Sequence, residues 1–277
     1  MKLGLGTVQF GQAHGVSNAK GQVSKAEAAA ILDRAAKAGV KLLDTAANYG
    51  EAEAVLAGFN LSPFRIVTKT VNLKNGLDAV ITRARESAAK LKADTLLVHA
   101  ASDLEDGTLW PALLRLKAEG VFRRIGISVY VAEKPAELAA RFRPDVMQLP
   151  FSLLDQRLLQ DGTLGRLKEM SVEVHARSLF LQGLLLMETI PAHLQGAAPA
   201  LNAVKGRIAA SGTTPLAAAL GFVLSRPEID IGLVGVTTLA ELDEILAAAA
   251  RPLPALDWAA CALADEKILT PSLWQKP

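Results

Sequence analysis

Short apolar runs alternate along the chain with longer Ala- and Leu-rich segments in which apolar residues recur at helical spacing. A run bounded by turn formers suits a buried parallel strand, and a segment of helical period suits a helix packed on the outside of the sheet. The predicted strands are Lys2 to Thr7, Lys41 to Thr45, Ile66 to Lys69, Thr95 to His99, Arg124 to Ser128, Val146 to Leu149, Val172 to Ala176 and Ile231 to Val234. Helix starts are marked by Ser24-Lys25-Ala26-Glu27, which reads as a capping box, and by Thr214-Pro215, an N-cap followed by proline. Gly39 provides a stop for the first helix. Between Leu184 and Ser211, Pro191, Pro199 and Gly196 interrupt a weak period, which predicts a long loop with a short helix. Eight strands alternating with helices predict an α/β protein, a single (β/α)8 TIM barrel over residues 1–277.

Length agrees with this architecture, since 277 residues with 51% hydrophobic content can bury the core of one such barrel. A doubly wound dinucleotide-binding sheet is the architectural rival. Its glycine fingerprint fails here, because Gly4-Leu5-Gly6 continues as Thr7-Val8-Gln9 without the third glycine. The apolar stretches, such as Ala217 to Leu224, fall short of a membrane span, and no basic region followed by an apolar run opens the chain. With a single cysteine, Cys261, a cytoplasmic location is the expectation. Thirty Lys and Arg against 28 Asp and Glu, interspersed, provide no basic stripe for nucleic acid or an anionic membrane. A small-molecule ligand is the expected partner.

Catalytic groups in such barrels come from the carboxyl ends of several strands, where side chains converge on one mouth. Asp44 ends the second predicted strand, Tyr49 is placed at the start of the following helix, Lys69 ends the third strand and His99 the fourth. Each alone has an ordinary structural reading: a cap, a packing tyrosine, a surface lysine, a core histidine. Together they make a chemical set. A phenol, with a pKa near ~10, releases its proton more readily beside a buried ammonium, a carboxylate keeps that ammonium charged, and an imidazole can orient a carbonyl.

At these residues the sequence resembles the aldo-keto reductases, through Asp44-Thr45-Ala46-Ala47-Asn48-Tyr49-Gly50-Glu51, Val67-Thr68-Lys69 and Leu96-Leu97-Val98-His99. The likeness extends through Gly4 to Gln9, Gly126-Ile127-Ser128, Gln148 and the region of Thr237. It implies reduction of an aldehyde or ketone to an alcohol by hydride transfer from a nicotinamide cofactor, with Tyr49 as proton donor. Asp44, Lys69 and His99 complete the implied catalytic set. The cofactor's carboxamide is implied to lie on Ser128 and Gln148, with Arg177 backing the nicotinamide and Ser178 and Leu179 approaching the pyrophosphate. Its adenosine phosphate is implied to lie near Gly235, Thr237 and Glu241, and its adenine near Glu244.

NADP(H) is the family default. Members that prefer it often carry Lys or Arg where Gly235 and Glu241 stand here, so NAD(H) stays open. Val129 replaces an asparagine common after the serine, and Ile245 another near the adenine. Thr238-Leu239-Ala240-Glu241 also reads as a capping box, which assigns Glu241 to helix structure. The rival functional reading is a cofactor-binding regulatory or redox-sensing subunit with little turnover. A metal-dependent barrel enzyme ranks last, because His14, His99, His175 and His193 are scattered without ligand spacing, and no metal is expected. The opening Gly4 to Gly11 and Gln148-Leu149-Pro150-Phe151 resemble members found with sugar pathways, a lean toward sugar-like or small aldehyde substrates.

Overall fold

The computed structural model describes residues 1–274, in which eight parallel strands close in sequence order into one barrel, β8 pairing with β1. The strands are β1 Leu3–Gly6, β2 Leu42–Asp44, β3 Arg65–Lys69, β4 Thr95–Val98, β5 Arg124–Ser128, β6 Val146–Pro150, β7 Glu173–Arg177 and β8 Ile231–Gly235. All eight predicted strands exist, within two residues of the predicted bounds at each end.

Alternation along a strand decides what fills the barrel, since residues two apart share a face. Leu42, Val67, Leu97, Val146 and Leu233 form one buried apolar cluster, joined by Ile231. Two residues further along the same strands come Asp44, Lys69, His99, Gln148 and Gly235. The period that buries the apolar plug therefore lifts a polar layer to the carboxyl end. Most of the remaining core, including Phe10, Leu43, Ile66, Leu96, Phe151 and Phe222, belongs to a second, larger cluster.

Helices begin where the sequence marks them. Ser24 caps the helix Lys25–Lys37, its side chain accepting from the Glu27 nitrogen, and Thr214 caps Pro215–Leu224 by accepting from the Ala217 nitrogen. The first cap is half of the predicted box: the Glu27 carboxylate instead accepts from the Leu239 nitrogen at the start of a different helix, 2.5 Å away. Gly39, at φ +81°, follows the first helix as expected. Between Leu184 and Ser211 the structure contains a 3-10 segment, Ala192–Ala197, and then a 13-residue helix, Ala198–Ala210. Pro199 stands in the first turn of that helix, where a proline nitrogen breaks no hydrogen bond, so it starts a helix rather than interrupting one.

Candidate active site

Tyr49 does not begin a helix. It lies in the turn after β2, hydrogen-bonded by its nitrogen to the Ala46 carbonyl at 3.1 Å, and the next helix runs only over Ala52–Leu56. Two glycines hold this turn in place. A Cβ on Gly11 would lie 1.8 Å from the Tyr49 carbonyl oxygen, and one on Gly50, at φ +53°, would lie 2.4 Å from the Gly11 carbonyl oxygen. The turn thus packs backbone against backbone on the short helix Val8–Gly11, an approach that any side chain would prevent. Thr7 adds a second tie, donating both its backbone N–H and its hydroxyl to the Asp44 carbonyl at 2.9 and 3.0 Å. The sequence reading missed Gly11, Gly50 and Thr7 as positioning residues. Adjacency of Gly50 to Tyr49 was the available signal.

Behind Tyr49 the structure contains one connected ionic chain. Lys69 Nζ, 1% exposed, donates to Asp44 Oδ1 at 2.6 Å, to the Thr45 carbonyl at 2.9 Å and to Tyr49 Oη at 3.2 Å. The ammonium uses all three donors in this way. Asp44 Oδ2 accepts from Gln148 Nε2 at 2.6 Å, so both carboxylate oxygens are engaged. Lys69 is therefore buried, excluding the reading of it as a surface lysine. Burial alone would lower its pKa, but the charges and hydrogen bonds of Asp44 and Tyr49 outweigh that, and the net shift is upward. The lysine stays charged.

His99 stands beside the same phenol, its ring edge-on to Tyr49 with centroids 5.8 Å apart. Burial, followed by the positive charge of Lys69, pushes its pKa down to about 4, against a smaller opposing effect of Asp44 and with a further lowering from Arg177. The imidazole is neutral near pH 7, with ring nitrogens able to donate one hydrogen bond and accept another.

These groups face a cleft of about 630 Å³ whose walls include Asp44, Tyr49, His99, Ser128, Gln148, Arg177, Ser178, Leu179, Gly235, Thr237, Glu241 and Glu244. With Lys69 directly behind Tyr49, the structure brings every candidate residue of the sequence reading to one place. Four of them have contacts or backbone geometry that the sequence did not show. Gln148 lines the cleft but spends its amide N–H on Asp44. Arg177 lies over the Tyr130 ring, 4.3 Å from its centroid, and donates to the Val129 carbonyl at 3.0 Å. Its guanidinium is planar and keeps one face free of the tyrosine. Glu241 does not close a box on Thr238: its carboxylate reaches one residue further back and accepts from the Thr237 nitrogen at 2.6 Å and the Thr237 hydroxyl at 2.8 Å. Ser178 has φ +62°, and Leu181, Gln182 and Gly183 are also left-handed, so this whole loop is bent over the cleft wall.

The cleft also has walls that the sequence reading did not name. Gln9 packs against Gly235, where a Cβ would lie 2.8 Å from its amide, and its Oε1 is a buried acceptor with no donor among the described residues. Ser17 and Asn18, in the loop after β1, face Gln182 and Gly183 across the cleft, and the Ser17 hydroxyl donates to the Gln182 carbonyl at 3.4 Å. The cleft's lining mixes these polar groups with apolar side chains such as Leu179, Phe180, Leu216 and Ile245, and the buried Lys69–Asp44 pair lies behind Tyr49 on its wall.

A closed parallel barrel whose carboxyl-end cleft terminates in this lysine-backed phenol places the protein among the (β/α)8 barrel oxidoreductases. The Aldo/keto reductase family model matches residues 2–266, and the chain belongs to that family. Among its relatives, L-galactose dehydrogenase of Arabidopsis thaliana is 29% identical over 274 residues, covering 89% of this chain and 85% of that protein. Glyoxal reductase of Bacillus subtilis is 30% identical over 171 residues, 58% of this chain and 60% of that protein. An aldo-keto reductase from Bacillus halodurans, solved in its holo form, superposes with a TM-score of 0.75 over 99% of this chain and 94% of its own, at 19% identity.

Proposed function

We propose that this protein reduces an aldehyde or ketone to an alcohol with a nicotinamide dinucleotide, Tyr49 supplying the proton. The observation that carries the reading is the simultaneous bonding of Lys69 Nζ to Asp44 and to Tyr49 Oη at the end of a large cleft. The cleft fits the cofactor in its mixed polar and apolar wall, in the orphan acceptor of Gln9 and in the backbone presented by the left-handed Ser178 loop. Ser128 and Gln148 would hold the carboxamide, Arg177 would back the ring, and Ser178 and Leu179 would face the pyrophosphate. When bound, the cofactor supplies a hydride to the carbonyl carbon.

The protein's part is the oxygen. As the C=O bond becomes C–O, negative charge develops there, and the Tyr49 hydroxyl donates its proton to it. Lys69, held charged by Asp44, lowers the cost of the phenolate left behind. Neutral His99 donates a hydrogen bond to the same oxygen and orients it. Hydride on carbon and proton on oxygen complete the alcohol, and Tyr49 then regains a proton from solvent. The substrate class favoured is small and sugar-like or dicarbonyl, in keeping with the names of the Arabidopsis and Bacillus relatives.

The test is consumption of reduced nicotinamide by purified protein against a panel of small aldehydes, dicarbonyls and aldoses. Turnover that disappears in Tyr49→Phe supports the reading. Tight nucleotide binding with no turnover on any carbonyl would overturn it in favour of a regulatory subunit.

A further inference from the structure

One buried carboxylate lies outside the cleft and has no part in the chemistry described above. Glu53, 3% exposed, stands on the short helix Ala52–Leu56 that follows the Tyr49 turn. Its Oε1 accepts from the Thr68 hydroxyl at 2.6 Å, and its Oε2 accepts from Arg83 at 2.5 Å and from the Ser87 hydroxyl at 2.9 Å. Arg83 and Ser87 belong to the helix Leu77–Leu91, so this one side chain joins two helices to strand β3. An apolar side chain of similar volume often gives as much stability as a buried ion pair. What a carboxylate with three donors adds is direction, because each hydrogen bond fixes where its partner lies.

The partner next to the reacting groups is Thr68. Successive residues of a strand face opposite sides, so on β3 Thr68 points out to Glu53 while Lys69 points in to Asp44 and Tyr49. The backbone from Tyr49 to Glu53 is short and itself tied, the Ala52 nitrogen donating to the Tyr49 carbonyl at 3.0 Å. These contacts close a ring. It runs from Tyr49 along the chain to Glu53, across the 2.6 Å bond to Thr68, over one peptide to Lys69, and from Lys69 Nζ back to Tyr49 Oη at 3.2 Å. The last contact is the longest in the ring, and adding about half an ångström to it would take it out of hydrogen-bond range. Gly11 sets how near the turn comes to the helix Val8–Gly11, and Glu53 sets how near it stays to β3.

We propose that Glu53 is a positioning residue for the proton transfer: through Thr68 it holds β3 at the distance from the Tyr49 turn that brings Lys69 Nζ against Tyr49 Oη. This inference rests on the carbonyl-reductase reading and deepens it. With Nζ withdrawn, the phenolate left after proton donation loses the cation bonded to it, and proton delivery slows. Glu53 itself faces away from the cleft, so binding of nucleotide and carbonyl does not pass through it.

The test is steady-state kinetics of Thr68→Val, Thr68→Ser, Glu53→Gln and the double variant, on a carbonyl that the wild type reduces, in light and heavy water, with unfolding midpoints measured alongside. Thr68→Val keeps the shape and removes only the hydroxyl that bonds to Glu53. It is expected to lower kcat about tenfold, with KM and calorimetric nucleotide affinity within about twofold. Its solvent isotope effect on kcat is expected to rise, because proton delivery becomes the slow step. Thr68→Ser restores the hydroxyl and is expected to bring kcat back to within about twofold of wild type. Glu53→Gln weakens the bond to Thr68 by removing the charge, and is expected to lower kcat about threefold with the same rise in isotope effect. Adding it to Thr68→Val should change kcat by less than about twofold, since the two act through one bond. If Thr68→Val does not fold, Glu53→Gln carries the test. Wild-type kcat and isotope effect in the folded variants, alongside a lowered midpoint, would make Glu53 a structural tie only and leave the carbonyl-reductase reading standing. A wild type that reduces no carbonyl overturns that reading and this inference together.

Discussion

The two ends of this barrel both bury charge, and they do opposite things with it. At the amino end, Arg65 makes a two-pronged pair with Glu173, which also accepts from His175 Nε2 at 2.7 Å. Arg124 lies 3.7 Å from Glu173 and 3.8 Å from Asp94. Acids and bases there answer one another, which makes a closed plug. At the carboxyl end, Asp44 and Lys69 also pair, but their chain continues to Tyr49 Oη and ends in a cleft of about 630 Å³. A charge network that closes on itself holds a fold together. One that ends on a phenol facing open space is the site of the proton transfer proposed above.

Strand β7 joins both regions. Glu173, His175 and Arg177 share its inward face, so one five-residue strand contributes the plug, the barrel interior and the cleft wall in turn.

The comparison breaks most sharply at Tyr49. Tyr49→Phe is expected to cut turnover by about 10²–10⁴-fold, the usual contribution of a positioned acid, while calorimetric nucleotide affinity stays within about threefold. Turnover at the wild-type level would remove Tyr49 from the mechanism. Lysine against arginine separates the two ends next. Lys69→Met leaves Asp44 buried without its counter-ion and is expected to cost about 3–5 kcal/mol in urea unfolding as well as turnover. Arg65→Met, at the partly exposed plug, is expected to cost less stability and to leave turnover within about twofold. Equal effects of the two on turnover would erase the functional distinction between the ends. Gly11→Ala, which touches no reacting group but pushes on the Tyr49 turn, is expected to lower kcat about tenfold or more with a smaller change in unfolding midpoint.

The smallest effects are those of pH. His99, lowered from 6.5 to about 4, binds its proton more readily in the unfolded chain, so folded stability rises with pH between about 4 and 6.5 from this group. In His99→Gln that rise should shrink, and the wild-type kcat/KM profile should show no histidine inflection between about pH 5 and 7. Glu173 has the reverse sign. Burial alone would raise its pKa, but the hydrogen bonds of His175 and Arg65, with their charges, hold it at about 2, below the ordinary 4.5. Its stabilisation is fully present above about pH 4.5 and is lost as pH falls toward 2. The gap in stability between wild type and Glu173→Gln should therefore close over that range, as followed by unfolding at stepped pH, with turnover at neutral pH unchanged.

The eight strands were legible because each is a short apolar run with a turn on either side. The positions of Asp44, Lys69 and His99 were legible because strand alternation places them two residues beyond Leu42, Val67 and Leu97. Caps such as Ser24 and Thr214 act on their own first turn, and local sequence was enough to identify them. Sequence misled where the partner is distant. Glu27 reads as half of a local box, yet it caps a helix more than two hundred residues away. The bond from Gln148 to Asp44 is likewise one that no local pattern marks. Glu241 reads as a cap of Thr238 and bonds to Thr237.

By itself, then, the sequence determined the element order, the inward face of each strand and the residue types gathered at the mouth, because these depend on periods of two and of 3.6 within a few neighbours. Tertiary structure alone decided that Lys69 touches both Asp44 and Tyr49, that Gly11 and Gly50 hold the Tyr49 turn, and that carboxylates already occupy the helix start after β8. Those contacts join residues brought together by closure of the barrel, and no local pattern along the chain encodes a distance across it.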